Sequence, residues 1–173
     1  MWIGLLLIVL CIVPISIVVS TIHTGISPMP SSRLARDKIL SLIPEGSEPI
    51  VDLGSGWGGL LLMLSKSFPN RHIIGYECSL LPFIWSRMVC RSTNISIYRD
   101  NFLHTLPPEK SVLVGYLCPT GMRSISQQYK GQAHVLISCV FSLPNHKPLK
   151  THQINDIHRS KIYVYQLLES AEQ

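Results

Sequence analysis

The stretch Val51-Asp52-Leu53-Gly54-Ser55-Gly56-Trp57-Gly58-Gly59 decides the fold. It follows Ile50, so a short run that is apolar but for Asp52 ends in three glycines spaced G-x-G-x-x-G. Leu60-Leu61-Leu62-Met63-Leu64 comes directly after. This pattern predicts a buried parallel strand, a tight turn and a helix that starts beneath whatever the turn holds. Glycine suits such a turn because the chain reverses sharply and a ligand must approach the backbone with no Cβ in the way. The spacing alone is weak evidence of a ligand site. Two carboxylates strengthen it: Asp52 lies two residues before the first glycine, and Glu77 closes the next strand, Ile73-Ile74-Gly75-Tyr76.

These acids separate the candidate ligands. A dinucleotide places its pyrophosphate over the glycine turn and the helix N-terminus, where negative charge is favoured. Asp52 at that mouth would oppose a phosphate. S-adenosylmethionine carries no phosphate; it offers an amino group, a sulfonium and a ribose diol. A carboxylate at the end of the first strand can meet the cationic end of that molecule, and Glu77 can accept hydrogen bonds from the two ribose hydroxyls. A nicotinamide or flavin nucleotide is the alternative ligand. The stretch resembles motif I of the class I S-adenosylmethionine-dependent methyltransferases, V-D-L-G-S-G-x-G. The candidate cofactor contacts in the turn are Asp52, Leu53, Gly54, Ser55, Gly56, Trp57 and Gly59. Trp57 either walls the methionine arm of the ligand or packs under the first helix.

The rest of the chain places further polar residues at strand ends. Ser31 or Ser32 reads as the N-cap of a helix from Arg33 to Leu42, which Pro44-Glu45-Gly46 ends. Arg71 to Tyr76 reads as the second strand, delivering Glu77 and Cys78. A helix from Ser79 through Cys90 has Leu80, Phe83, Ile84, Arg87 and Met88 near helical spacing, with Pro82 tolerated in its first turn. Ile95 to Arg99 alternates as a third strand and delivers Asp100 and Asn101, with Asp100 expected at the adenine edge or as a simple helix cap. Ser111 to Leu117 is nearly continuous apolar sequence, as in a strand covered on both faces, and ends at Cys118. Gly121 to Lys130 reads as a helix and Ala133 to Phe141 as a buried strand. Leu149 to Ile154 and Lys161 to Leu167 can pair as an antiparallel hairpin. The expected architecture is a Rossmann-like α/β fold, an open, mostly parallel twisted sheet with helices on both faces and a C-terminal hairpin. Its ligands are expected at the carboxyl ends of the strands.

Composition bounds the remaining possibilities. The 173 residues suffice for one domain with a sizeable core. Hydrophobic residues make up 46% and charged residues 14%, with a mean hydropathy of +0.28. Much of that imbalance lies in Met1 to Ile22, which carries no charge. As a helix, Trp2 to Ile22 would reach about 31 Å, one hydrocarbon thickness. The expectation is a transmembrane anchor over residues 1–23, a Pro/Ser linker over 24–32 and a catalytic domain over 33–173. A cleaved signal peptide is the alternative for the first segment. Arg33, Arg36 and Lys38 favour a single-pass membrane protein with its domain on the cytoplasmic side. The net charge of +5 and a pI of about 9.1 suit an anionic surface. No basic run interleaved with aromatics argues for nucleic acid. Five cysteines without C-x-x-C and seven scattered histidines suggest reduced thiols and no metal.

The order of segments narrows the resemblance. V-D-L-G-S-G, G-Y-E, R-D-N-F, V-L-V-G-Y-L-C-P and I-S-C-V-F-S-L-P follow one another after the Pro/Ser linker. Over roughly residues 28 to 167 the chain is similar to the small membrane-anchored protein-lysine methyltransferases that act on the ATP synthase c subunit and the adenine nucleotide carrier. That resemblance implies S-adenosylmethionine bound by Asp52, Gly54, Gly56 and Glu77, and a lysine of a membrane protein as acceptor. The chain departs from the family pattern at Trp57, where an acidic residue is usual, and over residues 142 to 160. The Asn/Asp-Pro-Pro-Tyr sequence of adenine and glutamine N-methyltransferases is absent; Leu117-Cys118-Pro119-Thr120 stands in its place, and no general base stands out. Cys118 reads as a strand-end thiol, not a nucleophile. Two alternatives remain: methylation of a lipid or small hydrophobic molecule, and a non-catalytic module that binds S-adenosylmethionine without turnover.

Overall fold

A computed structural model describes residues 32–129, 135–156 and 159–167. Helix α1 spans Arg33–Leu42, strand β1 Ile50–Asp52, helix α2 Gly59–Ser67, strand β2 Ile73–Tyr76 and helix α3 Leu80–Val89. They are followed by β3 Ile95–Tyr98, β4 Val112–Gly115, α4 Pro119–Gln128, β5 Val135–Cys139, β6 Lys150–Gln153 and β7 Lys161–Gln166. The seven strands form one sheet in the order β3-β2-β1-β4-β5-β7-β6. The first five run parallel, and β7 pairs antiparallel with both β5 and β6. This is the expected doubly wound sheet closed by a hairpin. The strand order reverses between β1 and β4, and an open α/β sheet binds its ligands at such a reversal.

Period-two alternation divides the core. Ile50, Ile73, Val112, Val114 and Ile137 face α1 and α2, where Ile39, Leu61 and Leu64 meet them. Val51, Ile74, Leu113 and Leu136 face the other way, against Met122 and Ile125 of α4 and against Tyr129, Phe102 and Leu117. Each fully buried Leu or Ile of this kind contributes roughly 1.5–3 kcal/mol. The Ser32 hydroxyl caps α1 by accepting a hydrogen bond from the Ala35 N–H at 3.1 Å, an interaction of about 1 kcal/mol. At α4, Pro119 occupies the first turn, where its missing N–H costs nothing.

Several expectations need correction. Helix α3 begins at Leu80 and ends at Val89, inside the expected Ser79–Cys90, and its helically spaced Leu80, Ile84 and Met88 face outward. Its buried residues are Pro82 and Ser86, and Cys90 beyond it; Leu80, Ile84, Trp85 and Met88 are exposed. The cause is close packing at Gly58, where a Cβ would come within 2.6 Å of Cys90 Sγ and 3.2 Å of Ser86 Cβ. Only small residues fit between that backbone and the helix. Arg71 precedes β2 and does not belong to it: Nε donates to the Glu48 carbonyl at 2.8 Å and Nη1 to the Pro44 carbonyl at 2.9 Å. The single-pass membrane location with a cytoplasmic domain is also overturned, because no helix among the described residues is long and apolar enough to cross a membrane. The segment 1–23 assigned to that anchor, and the linker up to residue 31, lie outside the described residues.

Candidate functional site

The site begins where β1 ends. Leu53 is buried and donates its N–H to the Val114 carbonyl at 2.9 Å, fixing the turn to β4. Ser55 donates its N–H to the Tyr76 carbonyl at 2.9 Å, fixing it to β2. The chain then reverses through Gly56 at φ +52° and Gly58 at φ +82°, left-handed conformations that side chains tolerate poorly. A Cβ at Gly54 or Gly56 would meet nothing within 4 Å. The glycines at the head of the turn therefore border open space, whereas Gly58 and Gly59 are packed against protein. Gly59 is the first residue of α2.

Two carboxylates flank this turn. Asp52 is 4% exposed, and its Oδ1 accepts a long 3.3 Å hydrogen bond from the Gly54 N–H. Burial pushes its carboxyl from 3.8 up to about 7; the Gly54 N–H opposes that shift and the nearby Glu77 carboxylate adds to it. Glu77 is 8% exposed. Its Oε2 accepts from the Gly56 N–H at 2.8 Å and its Oε1 from the Ser79 N–H at 2.7 Å. Oε1 also accepts from the Cys78 thiol at 3.8 Å, and Oε2 keeps a further lone pair for a ligand hydroxyl. Parallel pairing of β1 with β2, Asp52 opposite Gly75, brings the acids onto one rim.

The other candidates lie farther along the same rim. Cys78 is half-buried, with Sγ 3.8 Å from Glu77 Oε1, and its thiol is pushed up by burial and by that carboxylate. Cys118 is half-buried at the N-cap position of α4, and its side chain caps no N–H. Burial also raises the Cys90 thiol and lifts Cys139 to about 11, so both are protonated at neutral pH. Asp100 is exposed beyond β3. Its Oδ1 accepts from the Asn101 N–H at 2.7 Å and its Oδ2 from the Thr105 hydroxyl at 2.5 Å, which hold its carboxyl below the usual range. Asn101 Oδ1 accepts from the Leu103 N–H at 3.0 Å. These two residues build a loop at the rim, and Asp100 acts as a turn former there. Trp57 stands at the outer side of the turn. It is 44% exposed and meets Trp85 of α3 edge-on, ring centres 6.2 Å apart.

One residue that the linear pattern does not disclose also reaches the turn. Arg36 of α1 lies against the start of α2, so that a Cβ at Gly59 would come within 2.8 Å of its Nη1. Its Nε is buried without a hydrogen-bond partner. Among the described residues no group of three or more His, Cys, Asp or Glu could hold a metal ion.

No protein-family model matches the chain, and no curated protein matches it in sequence. Its fold is similar to that of the RNA methyltransferase from Salinibacter ruber, solved in complex with S-adenosyl-L-homocysteine. The TM-score is 0.72 at 17% identity, covering 84% of this chain and 97% of that one. It is also similar to the S-adenosylmethionine-dependent O-methyltransferase from Thermotoga maritima, with a TM-score of 0.66 at 10% identity over 84% of this chain and 69% of that one. At these identities the likeness is one of fold: the chain has the sheet and helix arrangement of the class I S-adenosylmethionine-dependent methyltransferases.

Proposed function

We propose that the chain is an S-adenosylmethionine-dependent methyltransferase that methylates a lysine of a protein. The observation that carries the donor assignment is the pair of buried carboxylates, Asp52 and Glu77, beside a glycine turn with open space over Gly54 and Gly56. A diphosphate over that turn would face two acids. The donor brings an ammonium and a ribose diol, which are what the acids can bind.

The residues present fit the donor. Asp52 has one long hydrogen bond for a buried carboxylate, so a ligand ammonium would supply the charge it lacks. Glu77 is held rigidly by the Gly56 and Ser79 N–H groups and keeps acceptor capacity on Oε2 for the ribose diol. The loop of Asp100 and Asn101 beyond β3 would border the adenine, and Leu53, Ser55 and Gly59 shape the turn from behind. Cys78 and Cys118 would line the same rim. When bound, the donor supplies an electrophilic methyl on a sulfonium. The protein then needs to hold an unprotonated acceptor in line with that carbon, and such positioning supplies several kcal/mol. The lysine would lose its proton to water, since among the described residues no buried base beyond the two acids already assigned is placed at the rim.

The resemblance of the ordered segments V-D-L-G-S-G, G-Y-E and R-D-N-F to protein-lysine methyltransferases supports lysine as the acceptor. A second reading, an RNA acceptor, draws on the net charge of +5 and on the RNA methyltransferase from S. ruber, of whose length the chain covers 97%. Incubating the full chain with radiolabelled S-adenosylmethionine and a cell extract tests this. Label in protein that hydrolysis releases as methyl-lysine supports the proposal. Label in RNA or in the lipid extract replaces the acceptor, and binding without any transfer leaves a non-catalytic module.

A further inference from the structure

A second polar cluster stands at the rim, on the far side of β1 from Glu77. Val114 of β4 pairs with Asp52, so Tyr116, two residues on, is level with Gly54 and on the face that Asp52 takes. Val114 also pairs with Ile137, which sets Tyr116 opposite Cys139 and brings the phenol beside that thiol. Ser160, just before β7, lies beside the same phenol. It is 5% exposed, and its hydroxyl is buried without a hydrogen-bond partner. Asp156 completes the cluster, its negative charge felt by both Tyr116 and Cys139. Its Oδ1 accepts from the Ser160 N–H at 2.7 Å and its Oδ2 from the Ser32 hydroxyl at 3.4 Å. Tyr116 itself is half-buried, and burial raises its hydroxyl, which is protonated at neutral pH.

The chemistry of this cluster is one-sided: hydroxyl oxygens and a carboxylate, the groups that accept from an ammonium. The buried Ser160 hydroxyl costs stability until a partner arrives. The position is equally specific. A donor held by Asp52 and Glu77 runs toward β2 and β3, so its methyl is approached from the β4 and β5 side, where Tyr116 stands. We propose that Tyr116 and Asp156 bind the side-chain amine of the acceptor and thereby select lysine over an uncharged hydroxyl or nucleobase. This inference rests on the lysine reading above. Asp156 draws the ammonium to the rim. Once one proton has passed to water, the Tyr116 oxygen accepts a remaining N–H and leaves the nitrogen lone pair aimed at the methyl carbon. The N–C bond forms as the C–S pair returns to sulfur, and the methylated ammonium regains its charge beside Asp156.

The test uses the full chain, radiolabelled S-adenosylmethionine, cell-extract protein as acceptor and butan-1-amine as a mimic of the lysine side chain. Butan-1-amine should inhibit the transfer of label to methyl-lysine in wild type, and butan-1-ol, the same chain without the charge, should not. Tyr116→Phe and Asp156→Asn should each weaken that inhibition about tenfold or more, or abolish transfer, with S-adenosylhomocysteine affinity within twofold of wild type by calorimetry. Asparagine keeps an oxygen for the Ser160 N–H, and an inhibition constant does not depend on how much of a variant is folded. Tyr116→Phe removes one hydroxyl and carries the test alone if Asp156→Asn does not fold. Undiminished inhibition in either variant would overturn the inference, and so would a parallel loss of S-adenosylhomocysteine binding. Wild-type label found in RNA or lipid and absent from methyl-lysine would instead overturn the lysine reading itself.

Discussion

The Gly56 N–H donates to Glu77 Oε2 at 2.8 Å, tying the reversal after β1 to the residue that ends β2. Twenty-one positions apart in sequence, these residues form one unit: the carboxylate holds the turn in shape, and the turn holds the carboxylate in place. Glu77→Gln keeps the side-chain volume but replaces one of the two accepting oxygens with an amide donor, facing either the Gly56 or the Ser79 N–H. The variant should lose about 1–3 kcal/mol of stability and bind S-adenosylhomocysteine roughly ten- to a hundredfold more weakly. Denaturant unfolding and calorimetry would show both, and native values for either would detach Glu77 from the site.

Gly54 separates the needs of the ligand from those of the fold. Its Cβ position is open and its φ is not left-handed, so Gly54→Ala should fold with a melting temperature within about 2 °C of wild type. The added methyl should nevertheless block the donor, seen as loss of the thermal shift with S-adenosylhomocysteine. Gly58→Ala should do the opposite and destabilise the fold. It combines φ +82° with a Cβ 2.6 Å from Cys90 Sγ, at a cost of roughly 2–4 kcal/mol.

Asp52 should make both stability and binding depend on pH. Its folded value of about 7 lies above the unfolded 3.8, so between them the folded protein keeps a proton that the unfolded chain releases. The stability associated with Asp52 is complete below about pH 4 and is lost as pH rises through about 7, by roughly 4 kcal/mol at most. Asp52→Asn should flatten that slope and be the more stable protein at pH 8. Donor binding runs the other way. An ammonium needs the ionised carboxylate, so affinity should climb as pH rises through about 7 in wild type and stay low and flat in Asp52→Asn. Calorimetry from pH 5.5 to 8.5 reads this directly.

Much of the fold was legible in the sequence because each strand carries its own signal. Ile50 to Leu53, Ile73 to Tyr76 and Ser111 to Leu117 are apolar on both faces, and the glycines after Asp52 mark where the sheet turns over. The hairpin at Lys150–Gln153 and Lys161–Gln166 followed from its alternation. Helix α3 was not legible. Periodicity finds an apolar stripe, but Leu80, Ile84 and Met88 point to solvent because Gly58 admits only Ser86 and Cys90 against it. The consequence is measurable: Met88→Lys should change stability by less than about 0.5 kcal/mol, whereas Ser86→Leu should cost several times more in denaturant unfolding. Arg36 escaped for a related reason. Its approach to Gly59 is set by how α1 packs on α2, which no linear spacing reports. Asp100 sat at the expected strand end, but its bonds to Asn101 and Thr105 are local.

The central claim is that the turn from Asp52 to Gly59 holds a nucleoside sulfonium and not a dinucleotide. Thermal unfolding of the full chain with S-adenosylhomocysteine, and separately with NADH, tests it most directly. Ligand at a hundred times its dissociation constant stabilises a folded protein by about 2.7 kcal/mol, which for a domain of this size raises the melting temperature by several degrees. The account predicts that rise with S-adenosylhomocysteine and none with NADH. An equal or greater rise with NADH would contradict it.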